Sequence, residues 1–186
     1  AADPEDEVCL VVLSGRVSVL AGDQAWRDVG ERTSVFEDRS PYAVYLPRAD
    51  GVTITAHTPA EVAVASAPGS GHLPARLIEP ASMKRFARGE GLNQRFVCDI
   101  LPQTQPADHL LVVEVGTPAR HSSSYPPHKH DTDNLPVESS LEETYYHRLD
   151  PPQGFAFQRV YTDDRTIDQA LAVEDQVRGL GVAVDD

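Results

Sequence analysis

The sequence predicts a mainly β protein. Three observations predict it: short β-branched and apolar runs, their recurrence roughly every ten residues, and turn residues between them. Val8 to Ser14 is a continuous apolar run, consistent with a buried strand. Gly15 turns the chain, Arg16 to Leu20 alternates, and Ala21-Gly22-Asp23 turns it again. Tyr42 to Leu46 is a strand that ends at Pro47, and Asp50-Gly51 marks a further turn. Val52 to Ala56 is β-branched and alternating, and Ala60 to Ala65 repeats that pattern. Strands at this spacing suggest a sandwich or barrel.

Ala67 to Pro74, rich in Gly, Pro and Ser, reads as a linker. Its Gly-x-Gly lacks the Gly-Lys-Ser/Thr of a phosphate loop. Leu77 to Asp99 reads as a solvated connecting segment, with Arg76, Lys84, Arg85, Arg88 and Arg95 in or beside it. A second β block starts near His109: Leu110 to Val115, Leu141 to Arg148 and Phe155 to Tyr161. The turn Asp150-Pro151-Pro152-Gln153-Gly154 is expected to join the last two as a hairpin. Ile167 to Val173 suits a short strand or helix. The expectation is two tandem β units, residues 1–85 and 86–186.

Composition narrows the partners. The 186 residues carry a formal net charge of -13, with 40% hydrophobic and 24% charged residues. This is a globular balance. Such an acidic surface repels phosphate backbones and anionic lipid heads, which argues against nucleic acid and membrane. No apolar run approaches the ~20 residues of a membrane helix. Cys9 and Cys98 each sit in an apolar run and read as buried free thiols in a reducing, cytoplasmic setting.

The densest chemistry is Ser124-Tyr125-Pro126-Pro127-His128-Lys129-His130-Asp131. In a strand, residues two apart share a face, so His128 and His130 could present both imidazoles to one point, with Lys129 turned away. The two prolines would stiffen the approach. Glu143, opening the next apolar stretch, supplies a carboxylate. Two His and one carboxylate suit a divalent metal and leave positions for substrate oxygens. Strand alternation puts Tyr145 and His147 on the Glu143 face, with Glu142 and Tyr146 opposite. Tyr145 is the expected acid–base group, and Glu142 could reach in through a bulge. Arg159 could grip a substrate carboxylate bidentately or pair with an acidic neighbour. His147 lies about 13 Å along an extended strand from Glu143, too far to share its ion. Asp131-Thr132-Asp133-Asn134 imitates the start of a calcium loop, but Pro136 stands where that loop needs Gly.

Ser123 to Asp131, Leu141 to Tyr146 and Pro152 to Thr162 closely resemble the 5-deoxy-glucuronate isomerase family of myo-inositol catabolism, within the cupin superfamily. The resemblance reaches back through Leu110 to Pro118 and into the first half at Tyr45-Leu46-Pro47. It implies two tandem cupin-type barrels, with a metal in the second. It implies aldose–ketose isomerisation of 5-deoxy-glucuronate to 5-dehydro-2-deoxy-gluconate, with a small sugar acid as partner and homo-oligomers open. The ligands carry over to His128, His130 and Glu143. Zinc or manganese is the expected ion, with iron or nickel as alternatives. The family continues after Val173-Glu174-Asp175 with a Gly-Tyr-His-Pro element that this chain does not show. A shortened member is therefore expected, its second barrel incomplete and water completing the shell. The competing expectation is a non-catalytic or degenerate metal- or sugar-binding cupin.

Overall fold

The run Val8 to Leu13 is apolar at every position because its strand is buried on both faces. In the computed structural model, which describes residues 2–125, 128–176 and 178–180, these six residues are all buried. Odd-numbered Cys9, Val11 and Leu13 enter one core with Ala43, Tyr45, Ile78, Met83, Cys98, Ile100 and Leu101. Even-numbered Val8, Leu10 and Val12 enter another with Val17, Val19, Val29, Val44 and Leu46. A strand's period of two thus feeds two cores from one segment.

In chain order the strands are β1 (Asp6–Ser14), β2 (Val17–Ala21), β3 (Gln24–Val29), β4 (Tyr42–Leu46), β5 (Val52–Ala56), β6 (Glu61–Pro68) and β7 (Arg76–Ile78). Then follow β8 (Lys84–Arg88), β9 (Arg95–Leu101), β10 (Val112–Gly116), β11 (Thr144–Tyr146), β12 (Ala156–Tyr161), β13 (Asp168–Val173) and β14 (Arg178–Leu180). The all-β class expected from the sequence is the one observed. No helix among the described residues is long and apolar enough to cross a membrane.

Contacts divide the chain into two units, Ala1–Ser124 and Tyr125–Asp186. The expected boundary at 85/86 falls inside β8, in the first unit. That unit holds a sheet ordered β6-β1-β4-β7, a sheet β3-β2-β5 and a sheet β10-β9-β8. All their pairings are antiparallel. Gly15 makes the β1–β2 turn with φ +81°, and a Cβ there would run into the Pro59 carbonyl oxygen.

Two polar ties cross this unit. Arg32 is buried; its guanidinium meets Glu114 of β10 bidentately at 2.8 and 2.9 Å and donates to the Leu13 carbonyl at 3.1 Å. Glu7 of β1 is 0% exposed and accepts from the Tyr45 hydroxyl and from the backbone N–H groups of Asp108, His109 and Leu110.

The second unit pairs β12 with β13 and β11 with β14. The expected hairpin through 150–154 is therefore not formed. Arg148 and the Leu149 N–H instead bind Asp175, at 3.1 and 2.7 Å, and the Gln176 N–H donates to the His147 carbonyl at 2.9 Å. These bonds tie the end of β11 to the segment after β13, which redirects the chain away from a local turn. The expected strand or helix at Ile167 to Val173 is a strand, Asp168–Val173.

The segment 77–99 is not a solvated connection. It contains β8 and most of β9, and its cations have partners within the protein. Arg76 stacks over Tyr45, Arg85 pairs with Asp38, and Lys84 and Arg88 flank Phe86. Arg95 is buried and reaches Asn93 Oδ1 at 2.9 Å. The linker expected at 67–74 begins as the end of β6.

Candidate metal centre

His128, Lys129 and His130 lie in irregular chain, not in the strand their spacing suggested. The two imidazoles nevertheless converge. Their Nε2 atoms are 3.1 Å apart and their rings meet edge to face at 4.8 Å between centroids. Glu143, immediately before β11, brings Oε2 to 3.9 Å from His128 Nε2. One donor atom from each of the three residues lies within 4.8 Å of the others. Two ligands about 2.1 Å from one tetrahedral ion stand about 3.4 Å apart, so this donor set fits a divalent ion in size and in chemistry.

The loop that follows ties back to His130. The Leu141 N–H donates to the His130 carbonyl at 2.9 Å, and the Ser140 N–H to Asp133 Oδ1 at 2.8 Å. Lys129 pairs with Asp131 and Glu138 at 3.4 and 3.5 Å. Those carboxylates raise the Lys129 pKa and keep it charged. His130 Nδ1 lies 3.2 Å from the Ser139 carbonyl. A carbonyl only accepts, so Nδ1 carries the proton and Nε2 keeps its lone pair toward Glu143 and His128. His128 also meets the edge of the Tyr125 ring at 6.0 Å. The side chains of His128 and Glu143 remain 36% and 41% exposed, so the centre opens to solvent on one side. The two prolines expected to stiffen the approach, 126 and 127, lie outside the described residues, as do 177 and 181–186.

Around Glu143 the alternation read from sequence is observed. Glu143, Tyr145 and His147 are half-buried, whereas Glu142, Thr144 and Tyr146 are exposed. The Tyr145 hydroxyl hydrogen-bonds Glu143. Burial, followed by this bond to a carboxylate, pushes the phenol pKa up and keeps it protonated, so it is the donor. Glu142 points to the opposite, exposed side, and the irregular chain before β11 does not turn it inward. Arg159 of β12 is 57% exposed, and its guanidinium is taken up bidentately by Asp168 of β13 at 2.8 and 2.7 Å. Its neighbour Gln158 is the residue that turns inward. Sequence reasoning did not single out Gln158. The period of two along β12 was the available signal.

An all-β protein carrying a two-histidine, one-carboxylate cluster on irregular chain is the class that fold and site define. The KduI/IolB family model matches residues 1–178, and the chain belongs to this family. It is 53% identical over 170 residues to the 5-deoxy-glucuronate isomerase of Geobacillus kaustophilus strain HTA426, covering 91% of this chain and 62% of that protein. It is 48% identical over 170 residues to the protein of the same name from Bacillus subtilis strain 168, covering 91% and 63%. The chain thus spans less than two thirds of the length of these relatives. The crystal structure of an IolB-like protein from Salmonella typhimurium LT2 superposes with a TM-score of 0.90 at 51% identity, over 96% of this chain and 68% of that one.

Proposed function

We propose that this chain carries the metal centre of an aldose–ketose isomerase acting on 5-deoxy-glucuronate, with 5-dehydro-2-deoxy-gluconate as product. The observation that carries the reading is the convergence of His128, His130 and Glu143 in a chain about half identical to proteins bearing that name. The ion is divalent, zinc or manganese before iron or nickel, because imidazole nitrogen and carboxylate oxygen suit borderline and harder cations. When bound, such an ion supplies Lewis acidity toward the carbonyl and neighbouring hydroxyl oxygens of a sugar acid.

The protein's own groups do the rest. His130 is held in its ligating tautomer by Ser139. Glu143 brings negative charge to the centre. Tyr145, kept protonated, offers the proton that a substrate oxygen can take as hydrogen moves between adjacent carbons. The exposed side of the cluster is where the sugar acid enters. Two buried free thiols, Cys9 and Cys98, support a reducing, cytoplasmic setting.

The test is a zinc and manganese titration of the purified chain, with turnover measured on 5-deoxy-glucuronate. The parent protein is expected to bind one ion and turn over, and His128→Ala with His130→Ala to lose both. Metal content unchanged in that double variant would refute the reading. Bound metal without turnover would favour the non-catalytic alternative.

A further inference from the structure

Tyr145 must hold its hydroxyl on Glu143 although its strand, β11, is only three residues long. The side chain packed against it is His147, two residues on and on the same face. The two rings are stacked, with centroids 5.8 Å apart and planes 17° from parallel. His147 also faces Gln158 of β12. His147 Nε2 and Gln158 Oε1 are both buried, and neither makes a hydrogen bond within ordinary limits to any described residue. An amide oxygen accepts and an imidazole N–H donates, so each is the partner the other requires. Burying either one unpaired would cost about 1–3 kcal/mol.

We propose that His147 is a positioning residue: its imidazole, stacked on the Tyr145 ring, holds that ring where its hydroxyl faces Glu143. The inference rests on the metal reading of the His128–His130–Glu143 cluster. The contact runs from His147 to Tyr145 and from Tyr145 to the carboxylate. With one Glu143 oxygen occupied by the phenol, the carboxylate keeps a fixed rotamer and turns its free lone pairs toward the imidazoles. Hydrogen-bonded supports of this kind change metal affinity when they are removed, even though they touch no ion. They do so through the ligand they hold, so two members of one chain do not act independently.

The experiment measures zinc affinity of the full chain by competition with a chromophoric chelator, with far-ultraviolet circular dichroism to verify folding. His147→Ala is expected to weaken zinc binding about tenfold or more, and Tyr145→Phe by a similar factor. The double variant should be no weaker than the weaker single one. His147→Phe, which keeps a ring stacked on Tyr145, should return affinity to within about threefold of the parent. His147→Leu substitutes for the alanine variant if that one fails to fold, with the same outcomes. Unchanged affinity in His147→Ala, losses that multiply in the double variant, or no recovery in His147→Phe would each overturn the proposal. A His130→Ala control separates the two readings. If it binds zinc like the parent, the metal centre itself is wrong. If it loses zinc while His147→Ala does not, only the positioning role fails.

Discussion

Replacing Glu7 by glutamine tests the strongest polar contact in the first unit. The Glu7 carboxylate is 0% exposed, and its two oxygens divide four donors between them. Oε1 takes the His109 and Leu110 N–H groups, both at 2.6 Å, and Oε2 takes the Tyr45 hydroxyl at 2.6 Å and the Asp108 N–H at 2.8 Å. Glutamine keeps the shape but replaces one oxygen by an NH2 group. The least damaging arrangement puts that NH2 where Oε2 was. The Tyr45 hydroxyl can rotate to accept from it, but the Asp108 N–H then faces another donor. One buried donor left unmatched costs about 1–3 kcal/mol, and the remaining bonds weaken from charge-assisted to neutral. A destabilisation of about 3 kcal/mol is therefore expected from Glu7→Gln, a large share of a typical 5–15 kcal/mol. The sole tryptophan, Trp26, packs against a core of the same unit, so urea unfolding followed by its fluorescence reports the event. The pH dependence gives a second handle. Burial would raise the Glu7 pKa, but the Tyr45 hydroxyl and the three backbone N–H groups outweigh it and hold the pKa below the usual value. The unfolded chain then takes up a proton more readily than the folded one. The contribution is fully present above the unfolded pKa and disappears as pH falls through the lower folded value. Glu7→Gln should lack that acid-side component. A midpoint within about 0.5 kcal/mol of the parent, with the acid limb unchanged, would refute the reasoning.

Three further outcomes follow from the same geometry. Glu114→Ala strands the buried Arg32 guanidinium and is expected to cost about 3 kcal/mol in urea unfolding; because Glu114 is partly exposed, the loss falls at the lower end for a broken buried pair. Glu143→Gln should weaken zinc binding in a chelator competition, whereas Glu142→Gln, on the exposed side, should leave it unchanged. Asp168→Asn removes the exposed partner of Arg159 and should alter neither the thermal midpoint nor zinc affinity; a change in affinity would mean that Arg159 communicates with the centre.

What could be read in advance depended on whether the local pattern also decides the pairing. β1 was legible because a strand with both faces covered must be apolar throughout. β2, β4, β5 and β12 were legible because alternation and turn residues agree, whereas β13 was left open between strand and helix. β8, written Lys-Arg-Phe-Ala-Arg, was not, because it lies at the edge of its sheet and only Phe86 is half-buried. β3 was missed for a related reason: all its residues but Trp26 and Val29 are exposed. The pairing of β11 with β14 joins residues more than thirty apart, and no turn signal encodes it. At the candidate site the grouping of His128, His130 and Glu143 was readable and the backbone conformation was not. His-x-His was assigned to a strand because spacing of two suits one, yet its rings meet on irregular chain. Arg159 attracted attention as a lone mid-strand cation, but Asp168, diagonal to it on β13 and opposite Tyr161, neutralises it.

Irregular backbone at the histidines has a physical consequence. In an extended strand residues two apart share a face with Cα atoms about 6.7 Å distant, and their imidazoles can also converge. Here the two Nε2 atoms meet at 3.1 Å from irregular chain instead. Such chain loses conformational entropy when it is ordered, at about 1–2 kcal/mol per residue. The contacts of residues 129–141 offset part of that cost before any ion arrives: Lys129 with Asp131 and Glu138, Ser140 with Asp133, and Leu141 with His130. The surrounding loop thus orders the chain around His128 and His130, while Tyr145 lies beside Glu143. On the proposed metal reading, affinity is expected to depend on Ser139, Lys129 and Tyr145 as well as on the three donors.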